Sequence, residues 1–127
     1  LNTKQSAVAY KVAFVIVVAF ALGLSFVAYG GGLKILGARR GLDKVVHFLL
    51  AGALAFSLDG ALGRRNLHAW GLRLPLAPLL VLVPCAIDEW LQRYSAVRTS
   101  SFWDFLADFA GVTFSVGLGR FIAGRRA

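Results

Sequence analysis

The stretch Val8–Tyr29, VAYKVAFVIVVAFALGLSFVAY, decides the fold class. Lys11 near its start and Ser25 further on are its polar interruptions. About twenty apolar residues suffice to cross a bilayer as a helix, so this segment reads as a transmembrane helix. It is longer than the apolar run of a signal peptide, and Tyr29 is followed by three glycines rather than a small-residue cleavage site. A retained helix is therefore expected.

Three further stretches have the same character. They are Val45–Leu62, broken by His47 and Asp59, Leu74–Tyr94, with Asp88 and Glu89 near its end, and Phe102–Ala123, with Asp104 and Asp108 near its start and Arg120 near its end. The intervening segments Lys34–Lys44, Gly63–Arg73 and Ser95–Ser101 are loops of the size that joins antiparallel helices. The expectation is an all-α fold, a four-helix antiparallel transmembrane bundle forming one membrane domain over residues 1–127, with no room for a soluble domain. Composition agrees. The chain is 58% hydrophobic and 16% charged, whereas soluble domains run nearer a quarter charged.

The net charge of +8 raises nucleic-acid binding. No basic helix face or soluble module carries it, so no nucleic-acid partner is expected. Lys and Arg sit in the loops and tails, where they can meet anionic lipid. An N-in, C-in chain places Lys4, Lys11, Arg64, Arg65, Arg73, Arg120, Arg125 and Arg126 on the cytoplasmic side. Lys34, Arg39, Arg40, Lys44, Arg93 and Arg98 fall on the other side. The balance favours N-in and C-in by a small margin. Tyr10, Tyr29, Trp70, Trp90, Tyr94 and Trp103 lie near helix ends, as interfacial aromatics do. Cys85 is the only cysteine, so its expected role is packing.

Antiparallel topology gathers the polar residues of the helices into one layer. The end of the first helix, the start of the second, the end of the third and the start of the fourth share one membrane face. That face holds Asp43, Lys44, His47, Asp88, Glu89, Gln92, Arg93, Arg98, Asp104 and Asp108. Ionisable residues in membrane helices are costly and mark function or pairing. Asp43 and His47 are four apart, and Glu89 and Gln92 three apart, so each pair shares a helix face. Asp104, Asp108, Gly111 and Ser115 form a small or polar stripe that should face the bundle interior. By helix rise, Asp108 lies about 9 Å beyond Phe102 and Glu89 about 7 Å before Tyr94. A shallow pocket opening toward one interface is expected.

These residues resemble the VanZ-like family. The family pattern of Asp-Lys-x-x-His, Glu-x-x-Gln, Arg, then Asp-x-x-x-Asn-x-x-Gly is met by Asp43, Lys44 and His47, by Glu89 and Gln92, by Arg98, and by Asp104, Asp108 and Gly111. The resemblance covers Asp43–Gly119, with all pieces in order and at the family spacing. Asp108 stands where the family has Asn, and Ala96 and Val97 replace the proline that often precedes the arginine. Ala51 and Gly52 lie where an aromatic is often found. The resemblance implies a small protein of the bacterial inner membrane with a glycopeptide-resistance type of role. Its candidate pocket residues are Asp43, Lys44, His47, Glu89, Gln92, Arg98, Asp104, Asp108 and Gly111.

Each polar group also has a structural reading. His47 serves either as a general base oriented by Asp43 or as a hydrogen-bond donor to Glu89 or Asp104 across helices. Asp104 and Asp108 either relay protons or pair with Arg98 and Arg93 in a network whose loss of one member costs roughly 3–5 kcal/mol. Asp59, near the opposite face, is expected to pair with Arg64 or Arg65, or to snorkel. One His with several carboxylates suits a hard metal ion, but no metal motif is present, and neither metal nor cofactor is expected. The leading expectation is a pocket for a lipid, a lipid-linked envelope precursor or a lipophilic compound. The alternatives are an accessory subunit of a larger membrane complex, or an intramembrane enzyme acting on a headgroup. Membrane lipids and a larger membrane complex are the expected partners.

Overall fold

The structure is a computed structural model that describes residues 3–30, 32, 41–96 and 101–125. Among these, four helices and one hairpin follow in order. They are α1 (Thr3–Tyr29), α2 (Leu42–Ala61), β1 (Asn66–Ala69), β2 (Leu72–Pro75), α3 (Leu76–Gln92) and α4 (Phe102–Gly124). Three helical segments, Lys4–Tyr29, Leu42–Ala61 and Phe102–Gly124, are long and apolar enough to cross a membrane. They point to a membrane protein. α3 has 17 residues and so extends about 25 Å, short of the ~30 Å hydrocarbon core.

α2 starts three residues earlier than the apolar pattern implies, so Asp43 and Lys44 lie in its first turn rather than in the loop before it. Its N-cap is Gly41, with φ of 99°, a backbone position that glycine occupies without steric penalty. α3 starts at a proline. Pro75 is its N-cap and Pro78 falls in its first turn, where a missing N–H breaks no helical bond. Pro84 lies inside the helix, a placement that membrane helices tolerate.

The segment Gly63–Arg73 corrects the sequence expectation. It is no simple loop but the start of a β-hairpin pairing Asn66 with Pro75, Leu67 with Leu74, His68 with Arg73 and Ala69 with Leu72. The two-residue turn is Trp70-Gly71, both at positive φ (50° and 74°). That geometry matches the twist of a tight hairpin. Glycine usually shares it with Asn or Asp, and the Trp at its first position hides the signal.

α2 packs against α1, α3 and α4. The centre of the bundle is built of small residues: Ala51 and Ala55 of α2 meet Val112 and Val116 of α4, with Val81 of α3 beside them. In a membrane, lipid is as apolar as the side chains, so helices associate through close packing rather than apolar burial. Gly52 and Gly111 mark the closest approach. A Cβ on Gly52 would stand 3.0 Å from the Gly111 carbonyl oxygen, and one on Gly111 would overlap the Phe48 backbone. On the other side of α2, Gly60 lies under the Tyr10 ring of α1. The outer surface of α1 exposes Val12, Val15, Ile16, Phe20, Leu22 and Phe26, an apolar face suited to lipid.

At the hairpin end, Asp59 is 3% exposed. It does not pair with Arg64 or Arg65, as the sequence implied. Arg120 of α4 donates to both its oxygens, from Nε at 3.0 Å and from Nη2 at 2.7 Å. The same guanidinium donates to Asn66 Oδ1 at 2.6 Å and to the Arg65 carbonyl at 3.2 Å. One side chain thus ties α2, α4 and the hairpin together. Arg64 instead lies over the Tyr10 ring, 5.8 Å from its centroid.

Candidate functional site

The other end of the bundle carries the polar layer. Asp43 and Asp104 both lie in first turns, of α2 and α4, where the helix dipole favours an acid. Lys44 Nζ donates to both, at 3.0 Å each. This ammonium bridges a half-exposed carboxylate and a buried one, and it joins α2 to α4. One turn deeper, His47 Nδ1 lies 3.0 Å from Asp108 Oδ1. Asp108 is buried. Gly111, another turn down, brings the two backbones close enough for these short links.

α3 contributes two further contacts. Asp88 accepts from the Tyr29 hydroxyl of α1 at 2.9 Å and from Gln92 Nε2 at 2.8 Å. Gln92 is fully buried, the one large polar side chain among the most enclosed residues. Glu89 accepts the backbone N–H of Ser101, the N-cap of α4, at its Oε1. Its Oε2 is buried and has no partner among the described residues.

The sequence-predicted set divides accordingly. The structure brings Asp43, Lys44, His47, Glu89, Gln92, Asp104, Asp108 and Gly111 to one end of the bundle. Arg98 lies outside the described residues. Three pairings differ from expectation. Asp43 holds Lys44 and not the His47 ring, because four residues of helix set the two side chains on one face without making them meet. His47 reaches Asp108 rather than Glu89 or Asp104, and Asp104 holds Lys44. Of the stripe Asp104, Asp108, Gly111 and Ser115, the first three are buried and Ser115 is half-buried.

Sequence reasoning missed Tyr29 as a member of this layer. Its signal was present, since Tyr29 ends α1 at the same end of the bundle, but a tyrosine at a helix end needs no partner to be explained. It also missed a cleft between α3 and α4 of about 290 Å³, lined by Ala86, Glu89, Trp90, Arg93, Phe102 and Phe105. Arg93 is exposed there, and its side chain has no ion pair among the described residues. Among the described residues, no three of His, Cys, Asp and Glu group as metal ligands would.

No family model, curated protein or solved structure matches this chain.

The chemistry available follows from the geometry. Five of the chain's six carboxylates stand at this end, in a protein of net charge +8. Lys44 offsets part of that charge by direct contact, and His47 lies against Asp108. The arrangement can hold hydrogen-bond donors and positive charge.

Proposed function

We propose that this chain is a VanZ-like, four-span protein of the bacterial cytoplasmic membrane whose one-sided polar layer binds the headgroup of a lipid or lipid-linked envelope precursor. In this reading α3 is the fourth span, extended to the membrane surfaces by β2 and by Arg93 and Tyr94. The observation that carries it is the convergence of Lys44, His47, Glu89, Gln92, Asp104 and Asp108 from three helices at one end, beside an open cleft. Much of that layer ties helices together, and tying alone explains Lys44, His47 and Gln92. It does not explain a buried Glu89 oxygen left without a donor among the described residues. Native proteins pair nearly all such groups, and a bound headgroup would supply the missing donor.

The resemblance in order and spacing of Asp43, Lys44, His47, Glu89, Gln92, Asp104 and Gly111 supports the same reading. The test is gentle-detergent purification of the tagged chain from its own membranes, followed by mass spectrometry of what accompanies it. A defined lipid or precursor at about one per chain is the expected result. A stoichiometric protein partner and no retained lipid would replace this reading with that of an accessory subunit.

A further inference from the structure

The cleft between α3 and α4 brings Glu89 and Arg93 together. Glu89 is 8% exposed. One of its oxygens pins the start of α4 through the Ser101 N–H, and the other is enclosed without a partner among the described residues. An unpaired buried acceptor is unfavourable, and more so when it is ionised. Arg93 is four residues on, one helical turn of about 5.4 Å, so it stands on the same face of α3 and lines the same cleft. Its guanidinium is held by no acid among the described residues. The remaining walls are Ala86 and the rings of Trp90, Phe102 and Phe105. The two groups do not close on each other, so the cleft presents a negative and a positive site one turn apart with aromatic faces around them.

Resting on the headgroup reading above, we infer that this cleft takes the phosphoethanolamine headgroup of a zwitterionic phospholipid, its ammonium on Glu89 and its phosphate on Arg93. A primary ammonium brings both the positive charge and the N–H donor that Glu89 Oε2 lacks, and charge-assisted bonds of this kind are the strong ones. Guanidinium is matched to phosphate oxygens. In phosphoethanolamine a short two-carbon bridge separates the two charges, a span of the order of one helical turn. The aromatic rings suit the ammonium by cation–π attraction and suit the glycerol and acyl region by apolar contact. A glycerol headgroup offers donors without a cation. A choline headgroup offers a cation without an N–H. Ethanolamine alone of the three meets both requirements.

The experiment titrates the purified full chain in detergent with phosphatidylethanolamine, phosphatidylcholine and phosphatidylglycerol of matched acyl chains, with bound lipid read by native mass spectrometry. The wild type should prefer phosphatidylethanolamine over each of the others by about tenfold, the scale of one charge-assisted bond. Glu89→Gln keeps an acceptor for Ser101 and should abolish the preference over phosphatidylcholine. Arg93→Gln alters an exposed side chain without a structural partner and should weaken all three lipids several-fold while the helical circular dichroism stays unchanged. Equal binding of the three lipids by the wild type overturns the inference, as does a preference that survives Glu89→Gln in a folded protein. Selective retention of phosphatidylglycerol or of an envelope precursor would overturn it while leaving the headgroup reading standing. Retention of no lipid at all would remove both.

Discussion

Gly111→Ala should separate α2 from α4 and disconnect the polar layer. A Cβ at Gly111 would lie 2.8 Å from the Phe48 carbonyl carbon and 2.9 Å from its Cα. Carbon atoms in good contact sit about 3.5–4.0 Å apart, so the backbones must part by roughly 1 Å. The obstructing atoms are main chain and cannot rotate aside. Overpacking of this kind costs about 1–3 kcal/mol. The displacement also falls one turn from the 3.0 Å link between His47 and Asp108. Stretched by the same amount, that link is lost, which adds about 1.5–3 kcal/mol for a hydrogen bond to a charged group. The expected total is about 3 kcal/mol or more. Gly117 on the same helix is the internal control. A Cβ there meets nothing within 4 Å, and alanine in a helix is favoured over glycine by about 0.5–1 kcal/mol. Unfolding of both variants in mild detergent, followed by circular dichroism against temperature or added denaturing detergent, should lower the midpoint for Gly111→Ala and leave it level or raised for Gly117→Ala. Equal midpoints for the two variants would refute the close approach of α2 and α4 at Phe48.

Arg120→Gln should destabilise the protein by about 3–5 kcal/mol, because it leaves the buried Asp59 carboxylate without its cation, and adding Asp59→Asn to it should recover most of the loss. The four unfolding midpoints of that double-mutant cycle decide it, and additive losses would show that the pair is not coupled. Trp70, 96% exposed at the hairpin tip, should sit at the membrane interface as amphipathic rings do. With Trp90 and Trp103 replaced by Phe, its emission in vesicles should be quenched by lipids brominated near the headgroup, and quenching by aqueous iodide alone would place it in water instead. The fourth span is tested by single cysteines in a Cys85→Ser background. His68→Cys on the hairpin and Ala96→Cys beyond α3 should react with an impermeant maleimide from opposite sides of the membrane. Labelling from one side alone would mean that α3 does not cross.

The candidate site was legible in the sequence as a set of residues, because antiparallel helices joined by short connections fix which helix ends share a face. Asp43, Lys44, His47, Glu89, Gln92, Asp104, Asp108 and Gly111 could be gathered on that ground alone, before any contact was known. The contacts themselves were not legible. Helical spacing places Asp43 and His47 on one face, yet which group each meets depends on the rotation and depth of α4 against α2. The Gly52–Gly111 approach and the Phe48 backbone settle those quantities. In the same way Arg120 could be seen as a charge near the end of the last helix, whereas its grip on Asp59, Asn66 and the Arg65 carbonyl depends on where the hairpin folds. The hairpin escaped because its turn puts a tryptophan at positive φ, against the residue preferences on which turn recognition rests.

The sequence by itself determined the helical class, the presence of apolar segments long enough to cross a membrane, and the end of the bundle on which the carboxylates would collect. These follow from apolar length and from the period of a helix, which are local properties of the chain. Only the tertiary structure decided which acid holds which base, that Glu89 keeps a buried oxygen without a donor among the described residues, and that Arg93 opens onto the same cleft. Those depend on the distance and rotation between helices far apart in the chain. Close packing of small residues sets that geometry, and no single segment encodes it.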